Sequence, residues 1–268
     1  MTDWTPERVW DVVDAWRWFP PTAKRLETDE YELAVTPGSY ALTYVYSFRV
    51  EDTDRADDRL DLMEQQIRSL GGTGANVYVS PRTRPTDLGV RLERRGYQLG
   101  EEAEVLVWRL RADDGAVRLP QFSPAVGVRV GEIDTEPDYL AYTVLTRTIF
   151  GGPVESEEVR AEFLSEFHRR LRESGNSDRY LAWEGESPIG VAGMEVNGRV
   201  ARLWGSGVRA DRRGRGAYGA LVRARCDSAV RRGAEVALVN ARVGTSGPIL
   251  KRHGFESVGV LRVYEVTW

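Results

Sequence analysis

The chain has 268 residues, 41% of them hydrophobic, and carries a formal net charge of −4 with a sequence pI of about 5.5. An acidic chain argues against nucleic-acid binding as its main role, and no apolar run approaches the roughly 18 residues of a membrane helix. The single cysteine, Cys226, excludes an internal disulfide. With no basic and apolar leader visible, we expect a cytoplasmic protein that does not associate with membranes.

The first part of the chain predicts a helix followed by paired strands. Apolar side chains at Val9, Val12, Val13 and Trp16 have helical spacing, which predicts an amphipathic helix packed on the first domain. A lid that turns its aromatic side chains toward a substrate is the alternative. The elements that follow are strands Tyr31–Val35 and Tyr40–Val50 around a Pro37-Gly38 turn, a helix at Arg59–Leu70, a strand at Ala75–Ser80 and an apolar stretch at Val105–Trp108.

A segment rich in turn-forming residues, Arg111 to Pro124, separates this part from the next. It predicts two domains, 1–115 and 125–268. The expected elements of the second are a strand at Val126–Ile133, helices at Tyr139–Phe150 and Ser156–Ser174, antiparallel strands at Tyr180–Trp183, Ile189–Val196 and Val200–Val208, a helix at Arg215–Arg232, a strand at Val236–Ala241 and a short helix after Thr245. This mixture indicates an α/β (α+β) fold.

The stretch from Val208 to Leu221 reads V-R-A-D-R-R-G-R-G-A-Y-G-A-L and places an Arg/Gly turn between a strand and a helix. A helix N-terminus carries partial positive charge and unsatisfied N–H donors, so it binds phosphate groups. Gly214 and Gly216 leave room for a ligand to reach the backbone. The pattern therefore predicts a pyrophosphate site.

Two common phosphate loops fit this stretch less well. No Lys-Ser or Lys-Thr follows the glycines, which excludes the P-loop pattern. Gly214, Gly216 and Gly219 match the spacing of a dinucleotide-binding loop, but the acidic residue expected about 20 positions later is absent from the end of the next strand. A dinucleotide-binding enzyme stays open as a weaker alternative.

An internal repeat relates the two parts of the chain. Leu92–Gln98 (L-E-R-R-G-Y-Q) resembles Leu250–Glu256 (L-K-R-H-G-F-E). Where the first copy should carry the phosphate loop, Val50–Asp58 reads V-E-D-T-D-R-A-D-D, which has no glycine and is rich in carboxylates that repel phosphate. There Asp52 or Thr53 can cap the following helix. We expect a degenerate N-terminal copy without a phosphate site.

Arg213 and Gly216, with the strand before them, resemble motif A (R/Q-x-x-G-x-G/A) of the GCN5-related N-acetyltransferases. Tyr218 departs from the pattern, since the family has Gly or Ala there. The resemblance covers about Val126 to Trp268. Together with the internal repeat, it implies two copies of a mixed, mostly antiparallel central sheet flanked by helices. It also implies a splayed-strand CoA cleft in the C-terminal copy and acetyl-CoA as co-substrate.

The resemblance also implies particular residues. Those expected to bind CoA are Ser206, Gly207, Val208, Arg213, Gly214, Arg215, Gly216, Ala217, Tyr218, Gly219 and Asn240. Leu250 occupies the position where the family often has a Tyr that protonates the thiolate, and leucine cannot donate a proton. Ser246 is a candidate hydroxyl near the sulfur, or simply a helix cap.

The carboxylate Glu195, the two histidines and Cys226 are further candidates for a functional role. Glu195, on the strand before the splayed one, is a candidate general base acting through water; the alternative is a solvent-facing strand residue. His168 and His253 lie far apart with no partners at ligand spacing, so we expect no metal. Cys226 is expected to be a small core residue.

We therefore expect an acetyl-CoA-dependent N-acetyltransferase that transfers an acyl group directly, in a ternary complex, to a primary amine of a small molecule or a peptide N-terminus. The protein would act as a monomer or homodimer. The alternative is a catalytically weak CoA-binding sensor or partner module, because the usual proton donor is missing.

Overall fold

The structure is a computed structural model that describes residues 4–17, 19, 23–151, 157–175 and 177–268. Its helices and strands, in chain order, are α1 (Pro6–Ala15), β1 (Lys24–Glu27), β2 (Glu32–Thr36), β3 (Ser39–Tyr46), α2 (Ala56–Ser69), β4 (Gly74–Val79), α3 (Leu88–Arg94), β5 (Gln98–Arg109), β6 (Val128–Glu132), α4 (Glu136–Phe150), α5 (Glu157–Ser174), β7 (Arg179–Glu184), β8 (Ser187–Asn197), β9 (Val200–Val208), α6 (Ala217–Arg231), β10 (Val236–Arg242), α7 (Ser246–Arg252) and β11 (Glu256–Thr267).

The chain forms two compact units. Unit 1 comprises Met1–Leu106, Asn240–Lys251 and Ser257–Trp268, and unit 2 comprises Val107–Val239 and Arg252–Glu256. The predicted domains 1–115 and 125–268 stay a prediction. The compact units differ from them mainly at the C-terminus.

Unit 1 contains strands in the order β1-β2-β3-β4-β11-β5. Strand β11, from the C-terminus, pairs antiparallel with β4, from Arg262 opposite Val79 to Thr267 opposite Gly74. Helix α2 buries Leu60, Met63 and Ile67 at helical spacing. These side chains join a core that the strands complete.

Helix α1 packs on unit 1, as predicted, because Trp10 is only 4% exposed. Its indole Nε1 donates to the Val258 carbonyl over 3.0 Å. A Thr5 cap starts the helix by accepting from the Arg8 N–H. Buried and bonded in this way, Trp10 is a packing residue and not part of a lid.

Unit 2 contains strands in the order β10-β9-β8-β7-β6. Strands β6 to β9 are joined antiparallel, whereas β9 and β10 run parallel from Val200 opposite Val236 to Leu203 opposite Val239. A core cluster from α4, α5 and the strands includes Tyr142, Phe167 and Val191. Strand β9 of this sheet leads into the loop that the sequence predicts to be a phosphate site.

Most predicted elements are present, with some differences at their ends. β3 ends at Tyr46 and not at Val50 because Ser47 adopts a left-handed φ of 53°. Val126 is 91% exposed and lies outside β6. The predicted helix start at Ser156 lies outside the described residues. Strand β1 was not predicted, because its four residues are mostly exposed and show no apolar alternation.

Candidate functional site

The turn between β9 and α6 leaves a helix N-terminus open. A short 3₁₀ turn at Ala210–Arg212 leads to Gly214 and Gly216, whose φ angles are +77° and +84°. Gly216 is the N-cap of α6. The first N–H groups of an α-helix have no intrahelical acceptor, and among the described residues no side chain caps the N-terminus of α6. Together with the helix dipole, these N–H groups form a site for an anion.

The predicted CoA-binding residues of this turn divide by exposure. Arg213, Gly214 and Arg215 are exposed, and a Cβ on Gly214 would meet nothing within 4 Å. Ala217 and Gly219 are buried, and Tyr218 is half-buried. A ligand can therefore reach the backbone of the exposed residues directly.

The segment Phe122–Ala125 packs against the buried side of the turn. A Cβ on Gly219 would lie 2.6 Å from Cδ1 of Phe122, and one on Gly216 would lie 3.1 Å from Cβ of Ala125. The Phe122 ring also lies against His253, with ring centroids 4.2 Å apart. Gly219 thus makes room for Phe122, a packing role that the sequence pattern did not suggest.

The loop arginines already have partners. Arg212 Nε lies 3.0 Å from Glu184 Oε2, and Arg215 Nη1 lies 3.1 Å from Glu184 Oε1. Arg213 Nε donates to the Val208 carbonyl over 3.3 Å. Glu184, at the end of β7, therefore competes with an incoming phosphate for the charge of two loop arginines.

Strand β9 carries a β-bulge just before the turn. Val191 of β8 lies opposite Gly207 and Gly193 lies opposite Trp204, so β9 has one extra residue over this interval. Gly205 provides it, with a left-handed φ of +55°. The pairing of β9 with β10 has already ended at Leu203. The predicted splay therefore begins where the bulge lies.

The three predicted residues of β9 have different surroundings. Gly207 faces the end of α4, since a Cβ there would lie 2.5 Å from Ile149 and 2.8 Å from Phe150. The Ser206 hydroxyl accepts a hydrogen bond of 3.0 Å from Arg225 of α6. Val208 is 7% exposed and belongs to the core.

Sequence reasoning missed Arg225. Its side chain is 1% exposed, and burial lowers the pKa of its guanidinium. Its position on α6, four residues after buried Leu221, could have identified it, because an arginine on an apolar helical stripe is unusual.

Glu195 lies away from the bulge. It is half-buried and lies opposite Arg202 in the strand register. Arg170 is close enough for its charge to interact with that of Glu195. The bulge lies opposite Ala192, which is about 10 Å from Glu195 along β8 at ~3.3 Å per residue. The structure does not bring this carboxylate to Ser206 and Gly207, and its role as a base stays a prediction.

Asn240, Ser246 and Leu250 belong to unit 1. Asn240 is exposed near the end of β10, and Ser246 is the half-buried first residue of α7. Leu250 is fully buried at 0% exposure. The roles predicted for Asn240 and Ser246 stay predictions.

Cys226 lies in the core, as predicted, and burial raises the pKa of its thiol to about 12. Among the described residues, no group of three or more His, Cys, Asp or Glu side chains could hold a metal ion. In the same part of the chain, no helix is long and apolar enough to cross a membrane.

Comparison with known proteins identifies the fold. Residues 144–255 match the acetyltransferase (GNAT) family. No curated protein matches the sequence. Among solved structures, a GCN5-related N-acetyltransferase from Sphaerobacter thermophilus has a TM-score of 0.67 at 18% identity, covering 89% of this chain and 76% of that one.

Two more solved structures are similar over most of their length. A GCN5-related N-acetyltransferase from Kribbella flavida has a TM-score of 0.61 at 15% identity, covering 91% of this chain and 89% of that one. A tandem GNAT protein from the clavulanic acid biosynthesis pathway has a TM-score of 0.60 at 14% identity, covering 96% and 87%. At these identities the similarities show the fold, and they confirm the expected mixed α/β architecture with a mostly antiparallel sheet flanked by helices.

Proposed function

Because residues 144–255 carry a domain of the acetyltransferase (GNAT) family, we propose that the chain is an acetyl-CoA-dependent N-acetyltransferase. The family supports acyl transfer in general. The choice of acetyl-CoA as donor and of a primary amine as acceptor is our proposal.

One observation carries this proposal: the open N-terminus of α6 behind Gly214 and Gly216. The turn offers a helix N-terminus and two left-handed glycines, and no side chain of the described residues caps it. A pyrophosphate fits this set, because its oxygens accept several N–H bonds at once and its charge complements the helix dipole. The exposed Arg213 and Arg215 add positive charge.

The β9 bulge supports the placement of the reacting end. A bulge leaves an extra residue outside the strand ladder, and Ser206 and Gly207 lie on the part of β9 that no longer pairs with β10. Backbone groups of Ser206, Gly207 and Val208 would bind the pantetheine arm and the thioester. Asn240 is a further candidate for the arm.

In the proposed reaction, a neutral amine attacks the thioester carbonyl carbon and forms the new C–N bond. The C–S bond then breaks, and the amine's proton ends on the departing sulfur. Glu195 acting through water and Ser246 near the sulfur remain our candidates for moving that proton. The acceptor is a small-molecule or peptide amine, and the protein would act in the cytoplasm as a monomer or homodimer.

A second candidate function is a CoA-binding module with little catalysis. It is favoured by Leu250, which is fully buried and places no hydroxyl where the family often has one. Such a module would bind acetyl-CoA and release no thiol.

A thermal-shift experiment tests the proposal with matched variants. At 100 times Kd, acetyl-CoA should stabilise the protein by about 2.7 kcal/mol, which raises Tm by roughly 5–10 °C. Gly214→Glu should abolish the shift. Gly233→Glu is the control, because Gly233 has a φ of +84° and equally open surroundings but lies at the other end of α6.

The outcomes separate the candidates. Wild type that shows no shift with millimolar acetyl-CoA contradicts the proposal, and a shift with nicotinamide dinucleotides instead would favour the dinucleotide alternative. Thiol release with a panel of small amines and peptides, lost in Gly214→Glu, supports the enzyme. Binding with no release from any amine supports the module.

A further inference from the structure

Arg225 is the largest side chain that is fully buried among the described residues. Within the same part of the chain its guanidinium forms no salt bridge, and the neighbouring charges and dipoles that act on it come from Tyr218, Cys226, Tyr180 and Tyr142. Burying a cation without a carboxylate is costly unless its N–H groups are well satisfied. The position therefore calls for a reason beyond packing.

The hydrogen bonds of Arg225 converge on the bulge. Its Nη1 donates to the carbonyl of Gly193 over 2.9 Å and to that of Trp204 over 3.4 Å, and these two residues lie opposite each other where the register shifts. Its Nε donates back to the Leu221 carbonyl over 3.1 Å, which fixes the side chain to its own helix. Arg225 thus ties α6 to both strands beside the extra residue.

The remaining bond fixes the role of the Ser206 hydroxyl. Nη2 of Arg225 donates to Ser206 Oγ over 3.0 Å. A serine hydroxyl has one hydrogen and two lone pairs, so accepting from Arg225 leaves its hydrogen to be donated elsewhere. A cationic donor in a low-dielectric site polarises the hydroxyl and makes it a stronger donor.

We propose that Arg225 is a positioning residue that presents the Ser206 hydroxyl as a hydrogen-bond donor to the thioester carbonyl oxygen of acetyl-CoA. This inference rests on the proposed function. It adds a side-chain donor, held from behind by a buried cation, to the backbone groups of β9.

The donor would act as charge develops on the carbonyl oxygen. When the amine nitrogen bonds to the carbonyl carbon, the C=O π pair moves onto oxygen, and the hydrogen bond from Ser206 strengthens. The oxyanion then collapses, the C–S bond breaks, and the amine's proton ends on sulfur. Ser206 keeps its own proton throughout, and Arg225 remains charged.

The first experiment compares two ligands by calorimetry. Acetyl-CoA has the thioester carbonyl and CoA does not. Ser206→Ala should weaken acetyl-CoA binding by about fivefold, the size of one net hydrogen bond, and leave CoA binding unchanged. Equal effects on both ligands, or no effect on either, would overturn the inference. Wild type that binds neither ligand would instead mean that the proposed function itself fails.

The second experiment reads the carbonyl directly by isotope-edited infrared spectroscopy of bound acetyl-CoA labelled with ¹³C at the carbonyl. Hydrogen bonding lowers the stretching frequency, so Ser206→Ala should raise it. Arg225→Met should raise it similarly and Arg225→Lys partly. Cys226→Ala, the neighbouring buried position, is the matched control and should leave the frequency unchanged.

The double variant separates positioning from general packing. In the Ser206→Ala background, Arg225→Lys should shift the frequency no further, because the donor that it orients is gone. A further shift of full size would overturn the inference. Circular dichroism checks folding, and if Arg225→Met does not fold, the lysine variant decides alone.

Discussion

Two strand–turn–helix segments of this chain have the same strand pairing but differ at the N-terminus of the helix. β3 runs parallel to β4 and leads to α2, just as β9 runs parallel to β10 and leads to α6. Before α2, the Asp52 carboxylate caps a 3₁₀ turn at Thr53–Arg55 by accepting from the Asp54 N–H over 3.1 Å. Asp57 and Asp58 occupy the first turn of α2 itself, whose N-cap Arg55 makes no side-chain cap. Before α6, Gly216 leaves the helix without a side-chain cap.

The difference shows how one helix end can serve two purposes. Both helix N-termini carry positive partial charge. In the first segment Asp52 caps the preceding 3₁₀ turn, and Asp57 and Asp58 place negative charge in the first turn of α2, so a phosphate is repelled there. The first turn of α6 has no acidic residue, so its partial positive charge is not offset in this way. The idea that the N-terminal segment is a degenerate copy stays a prediction, and this contrast supports it.

The largest expected effect comes from giving the N-terminus of α6 a carboxylate, since that of α2 already has carboxylates in its first turn. Gly216→Asp should weaken acetyl-CoA binding by at least 100-fold, because a carboxylate about 5 Å from a phosphate charge repels it by about 3 kcal/mol at an effective dielectric constant of ~20. Calorimetry measures the loss. Gly216→Asn has the same size without the charge and should bind much more tightly than the aspartate variant. Equal losses would mean that size, and not charge, governs this site.

A second change removes the cap of the 3₁₀ turn that precedes α2. Asp52→Ala should lower the free energy of unfolding by about 1 kcal/mol and leave the acetyl-CoA affinity unchanged. Urea unfolding measures the stability. Asp52→Asn keeps a capping oxygen and should retain most of it. A gain of acetyl-CoA binding by Asp52→Ala at a second site would contradict the view that this segment lacks the necessary glycines.

Particular residues show which features of the fold and the site can be predicted from the sequence alone. The Arg/Gly turn, the paired strands and the buried thiol of Cys226 could be predicted because each depends on local patterns. The contact of Phe122 with Gly219 and the hydrogen bonds of Arg225 could not, since both join residues far apart in the chain. The pairing of β11 with β4 could not be predicted for the same reason, because the alternation of side chains along a strand does not indicate which strand it pairs with.

A smaller effect is expected from the carboxylate that opposes the loop arginines. Glu184→Gln removes the ion pairs that Glu184 forms with Arg212 and Arg215, while Arg212 keeps its pair with Asp211. Acetyl-CoA should then bind about threefold more tightly, since exposed pairs contribute about 1 kcal/mol or less. The gain should shrink at high salt. Weaker binding would show that Glu184 holds the arginines in the shape that the phosphate needs.

The smallest effect concerns Cys226, which lies inside α6 and takes no part in the difference between the two helix N-termini. With its pKa raised to about 12 by burial, the thiol stays protonated and unreactive through neutral and mildly alkaline pH. A thiol reagent should therefore find no reactive group in the folded protein and one after denaturation. Reaction of the native protein at pH 8 would contradict this burial. The result also matters in practice, because thiol release can then be assigned to CoA alone.

The place of β11 has a consequence for how the protein is made. A ribosome delivers β4 and β5 early, whereas β11, the strand that lies between them, emerges after every other described strand. At about 5–20 residues per second, the nascent chain waits some ten seconds or more with two sheet edges unpaired. Exposed sheet edges can pair with other chains. The protein is therefore more prone to aggregate during this interval than after it has folded. Deletion of β11 would leave both edges unpaired permanently.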